Sequence, residues 1–173
     1  MKIYIGFAGP RGGFVPFAWL IQWVEKRNFD HCYIRFQEPS GQWMIFQASG
    51  LEVNLISAPN WNTVNLPVRE YEIDVTAQLN AEFWSEFVIP SLGIPYSLKE
   101  DFGILLMKVF RLKNNPYSGG YSAEFCSKLG AYVCKFLGID IGNAPDNLSP
   151  SNLDVILATK NLPVTQYPNI LAN

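Results

Sequence analysis

A chain of 173 residues is one domain's worth of sequence, and with 49% apolar and only 16% charged residues it can bury a real core, which excludes a disordered chain. A net charge of −2 without any lysine–arginine run excludes the electrostatic footprint of a nucleic-acid binder. Three cysteines without a CxxC pair make neither a disulfide framework nor a zinc ribbon, and the one histidine, His31, must serve any mechanism that uses imidazole.

In chain order, Ile3, Ile5 and Phe7 alternate with Tyr4 and Gly6, so Lys2–Phe7 reads as a strand. Ala8–Gly13 follows as a glycine-rich turn; it lacks the lysine–serine ending of a phosphate loop. Phe17–Lys26 reads as a buried helix. The apolar run around it is too short to cross a bilayer, is flanked by charge, and precedes no small-residue cleavage pattern. The expectation is a protein without an integral membrane segment, cytoplasmic as encoded unless other components deliver it outside the cell or into a virion.

His31–Phe36 and Trp43–Gln47 read as short strands joined by the turn-rich Gln37–Gln42. Glu52–Ile56 and Val64–Val75 are further extended segments. Pro67 pushes the second toward a sheet edge, and Glu70, Glu72 and Asp74 alternate along it as a solvated face. After residue 78 the pattern turns helical. Asn80 is the expected cap of a helix carrying Phe83, Trp84, Phe87 and Val88 and stopped by Pro90. Ser97–Glu100 has the form of a capping box opening a helix through about Leu112. Beyond the Lys113–Gly120 loop, Ser122 is the expected cap of a helix with Phe125, Leu129, Val133 and Phe136 on one face and Gly138 as its stop. Ser151–Asp154 opens a last short helix. Strands first and helices afterwards argue an α+β single domain over residues 1–173.

The chemistry concentrates on three residues. Cys126 falls in the first turn or so of its helix, where the dipole and free backbone N–H groups favour a thiolate and can receive an oxyanion. Cys134, mid-helix, reads as a core residue. On the second strand His31, Tyr33 and Arg35 alternate with Cys32, Ile34 and Phe36; the latter set is apolar and faces the core, so His31 points away from it. A hairpin centred on Pro39 pairs residue 35 with 43 and residue 31 with 47. That puts His31 beside Gln47, whose amide oxygen can accept an imidazole N–H and leave the other ring nitrogen to take a thiol proton.

These residues carry a resemblance. Phe29-Asp-His-Cys-Tyr-Ile34 resembles the histidine strand of the circularly permuted NlpC-type, papain-like cysteine hydrolases. Ile45-Phe-Gln-Ala48 is similar to the strand bearing that family's third polar residue, and Glu124-Phe-Cys-Ser-Lys-Leu129 to its nucleophile helix. Gly93-Ile-Pro-Tyr96 and Leu148-Ser-Pro-Ser-Asn-Leu153 match a tyrosine segment and a late proline-capped helix. The order histidine, third residue, cysteine is the mark of the permuted group, and the matches span roughly residues 1–157. The resemblance implies a papain-like domain, a small antiparallel sheet or barrel packed against helices. It implies Cys126 as nucleophile, His31 as general base and later acid, Gln47 as the orienting group, and Tyr96 as a candidate oxyanion or substrate contact.

This chain departs from the family at Asp30, where a serine is common, and at Lys128, where a glutamate is common. The usual glycine–aspartate pair after the first strand is replaced by the Gly6–Gly13 region. A neutral amide stands at residue 47 where a carboxylate is frequent, and it stabilises an imidazolium less. The function expected is a cysteine hydrolase (amidase or peptidase type) cleaving an amide of a peptide or peptidoglycan fragment through a thioester, with no cofactor and no metal. An acyltransferase or thioesterase acting on lipid esters is the enzymatic alternative, and a catalytically inactive binding or structural module of a phage particle or effector is the other. A carboxylate metal site built from Glu70, Glu72 and Asp74 is disfavoured, because alternation along a strand is more simply a solvated face.

Overall fold

A computed structural model describes residues 1–12, 15–118, 125–142 and 144–168. Its centre is a strand, β1 (Lys2–Pro10), whose Ile3, Ile5 and Phe7 are fully buried. Around it β2 (His31–Gln37), β3 (Trp43–Ser49), β4 (Glu52–Ser57), β5 (Asn65–Asp74) and β6 (Val164–Gln166) build one open, wholly antiparallel sheet in the order β4-β3-β2-β1-β5-β6. The strands-then-helices pattern thus yields a mixed α+β domain, and among the described residues the sheet is open, not a closed barrel.

The alternation of β2 divides the sheet's two faces. Cys32, Ile34 and Phe36 join Ile5, Phe7 and Phe46 in the main core, beneath the helix α6 (Cys126–Phe136) and the segment around Phe83. Tyr33 joins Ala8, Ile45 and Trp61 in a smaller cluster on the opposite face, under the one-turn helix α2 (Ala58–Trp61). The close seat of α6 on β2 depends on Gly130: a Cβ there would stand 2.7 Å from Cys32 Sγ.

Several expected boundaries move, each for a local reason. Ala8, Gly9 and Pro10 extend β1 because they pair with Pro67, Leu66 and Asn65 beyond a bulge between Phe7 and Ala8. Pro67 therefore sits next to this bulge in an interior strand, where β6 pairs only with Arg69–Tyr71 and no ladder bond is demanded of the missing N–H. Glu70 is not a solvated residue. It is 2% exposed and accepts from Tyr33, from both arms of Arg35 at 2.8 and 2.6 Å, and from Tyr167. Although burial works against its charge, the bonds from Arg35 and Tyr167 outweigh it and hold Glu70 below the usual carboxylate range.

Thr76, not Asn80, caps α3 (Ala77–Glu82), accepting from the Leu79 N–H; the buried Asn80 amide instead donates to the Gln37 carbonyl at 3.2 Å. Pro90 does not stop the segment, because a π-helical turn at Phe83–Val88 leads into α4 (Ile89–Ser91), with the proline in its first turn where its missing N–H costs little. Ser97 caps α5 (Leu98–Phe110) through the Glu100 N–H, but the Glu100 carboxylate turns away to the buried Lys128 amine at 2.9 Å, so only half the capping box forms. The last helix, α7 (Pro150–Ala158), takes its cap from Ser149. A helix of ten residues, α1 (Pro16–Glu25), forms where the apolar N-terminal segment predicts one, but it is not a buried helix. Only Ala18, Ile21 and Glu25 are buried, and Trp19 and Trp23 are exposed because the helical period turns them to the opposite side.

Candidate functional site

The N-terminus of α6 brings Cys126 against the first residues of β2. Phe125 has extended geometry and supplies no side-chain cap; the expected cap, Ser122, and the motif residue Glu124 lie outside the described residues. Cys126 is thus the first residue of the helix, where backbone N–H groups lack intrahelical partners. Its sulfur lies 4.0 Å from the Asp30 carbonyl oxygen, and the Cys32 and Ser127 N–H groups point at it from the strand and from the helix. The thiol is only 2% exposed. Burial pushes its pKa well up, the nearby Asp101 and Asp30 carboxyls push it further, and the backbone donors only partly oppose them.

His31 opens β2. The hairpin register is two residues from the expected one: Arg35 pairs with Ile45, not with residue 43, so His31 and Gln47 are diagonal neighbours. A shift by two keeps both side chains on one face, and they meet, with His31 Nε2 2.8 Å from Gln47 Oε1. The tautomer follows from a third residue. Trp61 Nε1, which can only donate, also points at Gln47 Oε1 at 2.8 Å, so that atom is the carbonyl oxygen. Gln47 Nε2 then donates to Asn54 Oδ1 at 3.3 Å, while Asn54 Nδ2 donates to the Ser49 and Glu52 carbonyls of the β3–β4 turn. An acceptor on Gln47 requires His31 Nε2 to carry the proton, which leaves Nδ1 as the basic nitrogen. Burial lowers the His31 pKa to about 4 against the raising effect of the Gln47 bond, so the ring is neutral at ordinary pH.

A cavity of about 480 Å³ gathers Asp30, His31, Gln47, Tyr96 and Asp101 on its wall. Tyr96 is held there by its backbone. Its N–H donates to the Leu51 carbonyl at 2.8 Å, and the chain reaches it through Gly93, whose φ of 80° belongs to the left-handed region. The Tyr96 hydroxyl donates to Asp101 Oδ2 at 2.7 Å, so its proton is committed in this state and is not offered to an oxyanion. Burial raises Asp101 to about 6 against the Tyr96 bond, and raises Asp30 to about 6 against the bond from Gln22. Cys126 is not itself on the cavity wall; it lies behind Asp30, whose carbonyl oxygen is 4.0 Å from its sulfur.

The structure therefore joins His31 to Gln47 and sets Tyr96 on the same cavity, while Cys126 is buried in the main core behind Asp30 and does not line that cavity. Among the described residues no hydrogen bond joins Cys126 to His31. The sulfur shares the main core with Cys32, whereas the imidazole bonds Gln47 on the cavity wall. The Lys128 ammonium is buried 2.9 Å from Glu100 and 3.2 Å from Asp146, so its carboxylate partners come from α5 and from the loop before α7. The sequence marks Trp61 only as one of five tryptophans suited to a core or an apolar pocket, and does not single out Asn54 or Asp101. No spacing pattern announces them, because each reaches the site through a turn or a helix start whose direction the local sequence leaves open. Among the described residues no three His, Cys, Asp or Glu side chains converge as a metal site requires, and no helix is long and apolar enough to cross a membrane. No protein-family model matches the chain, and no curated protein matches it.

Proposed function

We propose that the domain is a permuted papain-like cysteine hydrolase in which Cys126 attacks an amide carbonyl and His31 accepts the thiol proton. The observation that carries this reading is an imidazole of fixed tautomer, bonded to a Gln47 that Trp61 orients and with Nδ1 unprotonated, at the start of the strand against which the first residue of a helix sets a buried thiol. At rest the pair is uncharged, with a neutral thiol and a neutral imidazole. The mechanism is accordingly general-base catalysis, without a standing thiolate–imidazolium pair. As Nδ1 closes on the thiol and takes its proton, Sγ bonds to the carbonyl carbon, and the α6 N-terminal amides face the oxygen as it gains charge. The C–N bond then breaks, His31 returns its proton to the leaving amine, and water hydrolyses the thioester to a carboxylic acid and free thiol. The substrate is a peptide or cell-wall-type amide that enters the cavity beside Tyr96 and Asp101.

Intact-mass and peptide-level mass spectrometry after exposure to an activated ester tests the proposal. Wild type should gain one acyl group on Cys126, Cys126→Ala none, and His31→Ala should acylate at least about tenfold more slowly, the usual worth of a general base being larger still. Acylation spread evenly over Cys32, Cys126 and Cys134, or indifferent to His31, would refute it.

A further inference from the structure

α1 and α5 run side by side in the same direction. Ala18 and Ile21 share the site cavity with Leu98 and Asp101, while further along Trp23 and Lys26 meet Lys108 and Val109 in a second cleft of about 510 Å³. The pair is locked from within, where Lys108 Nζ lies 3.0 Å from the buried Glu25 carboxylate. Outward, it presents large apolar side chains: Trp23 is 65% and Phe110 67% exposed, with Leu98 and Val109 also exposed. Trp19 and Trp23, one helical turn apart, lie nearly parallel with ring centroids 6.3 Å apart. Apolar groups gathered this way on a surface mark a binding face.

The charge on this face is one-sided. Across residues 15–27 and 98–113 the carboxylates Glu25, Glu100 and Asp101 are all buried, while Lys26, Arg27, Lys99, Arg111 and Lys113 are exposed, Arg27 within 4.0 Å of Asp154 and Lys99 over the Tyr117 ring. Every exposed charged side chain of these segments is a cation, in a chain whose formal net charge is −2. We propose that the α1–α5 face docks on an anionic lipid bilayer, with Trp23 and Phe110 entering the headgroup–acyl boundary and the surrounding lysines and arginines meeting lipid phosphates. A second copy of the chain is the poorer fit. A two-fold contact through this face would set its cations against the same cations with no exposed carboxylate among them. Because the same two helices wall the cavity, docking holds the cavity against the membrane. The inference does not depend on the chemistry of Cys126.

Sedimentation with vesicles tests it, using pure phosphatidylcholine and an equal mixture of phosphatidylcholine and phosphatidylglycerol. Wild type and Cys126→Ala should both bind the anionic vesicles, bind pure phosphatidylcholine weakly, and be released by high salt. The double variant Lys26→Glu/Arg111→Glu should lose about tenfold or more in affinity, and Trp23→Ser/Phe110→Ser should lose comparably. All four side chains are exposed, and far-ultraviolet circular dichroism checks that the fold is kept. The salt release of wild type tests the electrostatic part without any substitution. Failure to bind anionic vesicles, or binding indifferent to salt and to both double variants, overturns the proposal. So does a wild-type dimer, seen by ultracentrifugation, that Trp23→Ser/Phe110→Ser converts to monomer.

Discussion

Replacing Gln47 by glutamate tests the centre of the site most directly. In wild type the residue 47 side chain accepts from His31 and Trp61 at 2.8 Å each, and burial holds the imidazole near a pKa of about 4. A carboxylate in that position places a full negative charge about 4 Å from the centre of the imidazolium. At an effective dielectric of about 20 this is worth about 4 kcal/mol, or about 3 pH units. His31 should therefore rise from about 4 toward about 7. Part of that gain is lost because Asn54 must turn its amide to face the new oxygen and give up its bonds to Ser49 and Glu52. The chain has one histidine, so a single imidazole resonance followed by NMR from acid to mildly alkaline pH reads the pKa without assignment. A shift of less than about one unit would show that residue 47 does not couple to His31, and the fixed-tautomer argument would fall with it.

Three further outcomes follow from the same geometry. Asp101 binds its proton more tightly folded (about 6) than unfolded (3.8), so the stability it contributes is complete below about pH 4 and is lost as pH rises to about 6. Asp101→Asn should thus be more stable than wild type at neutral pH, by up to about 3 kcal/mol, and no more stable near pH 4. His31 runs the other way, losing stability as pH falls from 6.5 through about 4, but it is common to both proteins and cancels in a denaturation comparison. A less stable Asn variant at neutral pH would contradict this account of the buried carboxyl. Gly130→Ala should lower stability by about 1–3 kcal/mol in spite of alanine's better helix propensity, since its Cβ would meet Cys32 Sγ at 2.7 Å and Leu153 at 2.9 Å. An unchanged melting temperature would mean that α6 is free to lift from β2. Finally, if His31 is the base, the acid limb of the acylation rate should lie near pH 4, where the ring protonates, and a limb near 6.5 would point to an imidazole exposed to water.

How much of this was legible in the sequence is clearest at the β2–β3 hairpin. The pattern of apolar and polar residues states which face each side chain occupies, because alternation has a period of two. It does not state which residue lies opposite which. Arg35 was expected against residue 43 and is found against Ile45, yet His31 still reaches Gln47, since an even slip preserves the face. Glu70 shows the converse. Alternation with Glu72 and Asp74 gives its face correctly as one not covered by the main core. Only the third dimension supplies Arg35, Tyr33 and Tyr167, which turn a solvated position into a buried one. The same limit applies to Asn80, where capping chemistry was present at two nearby residues and Thr76 took the cap because the Asn80 amide is needed by the Gln37 carbonyl.

Trp61 carries the argument furthest. Nothing in Pro59–Asn62 distinguishes it from an ordinary aromatic in a turn, yet its indole N–H decides the orientation of the Gln47 amide, and the amide decides which imidazole nitrogen is basic. A donor without acceptor capacity thus transmits a choice across two side chains to the nitrogen available for chemistry. An amide at residue 47 can make this choice only with such a donor beside it. A carboxylate would accept from His31 whichever way it turned, and the buried Trp61 would then add packing but no information.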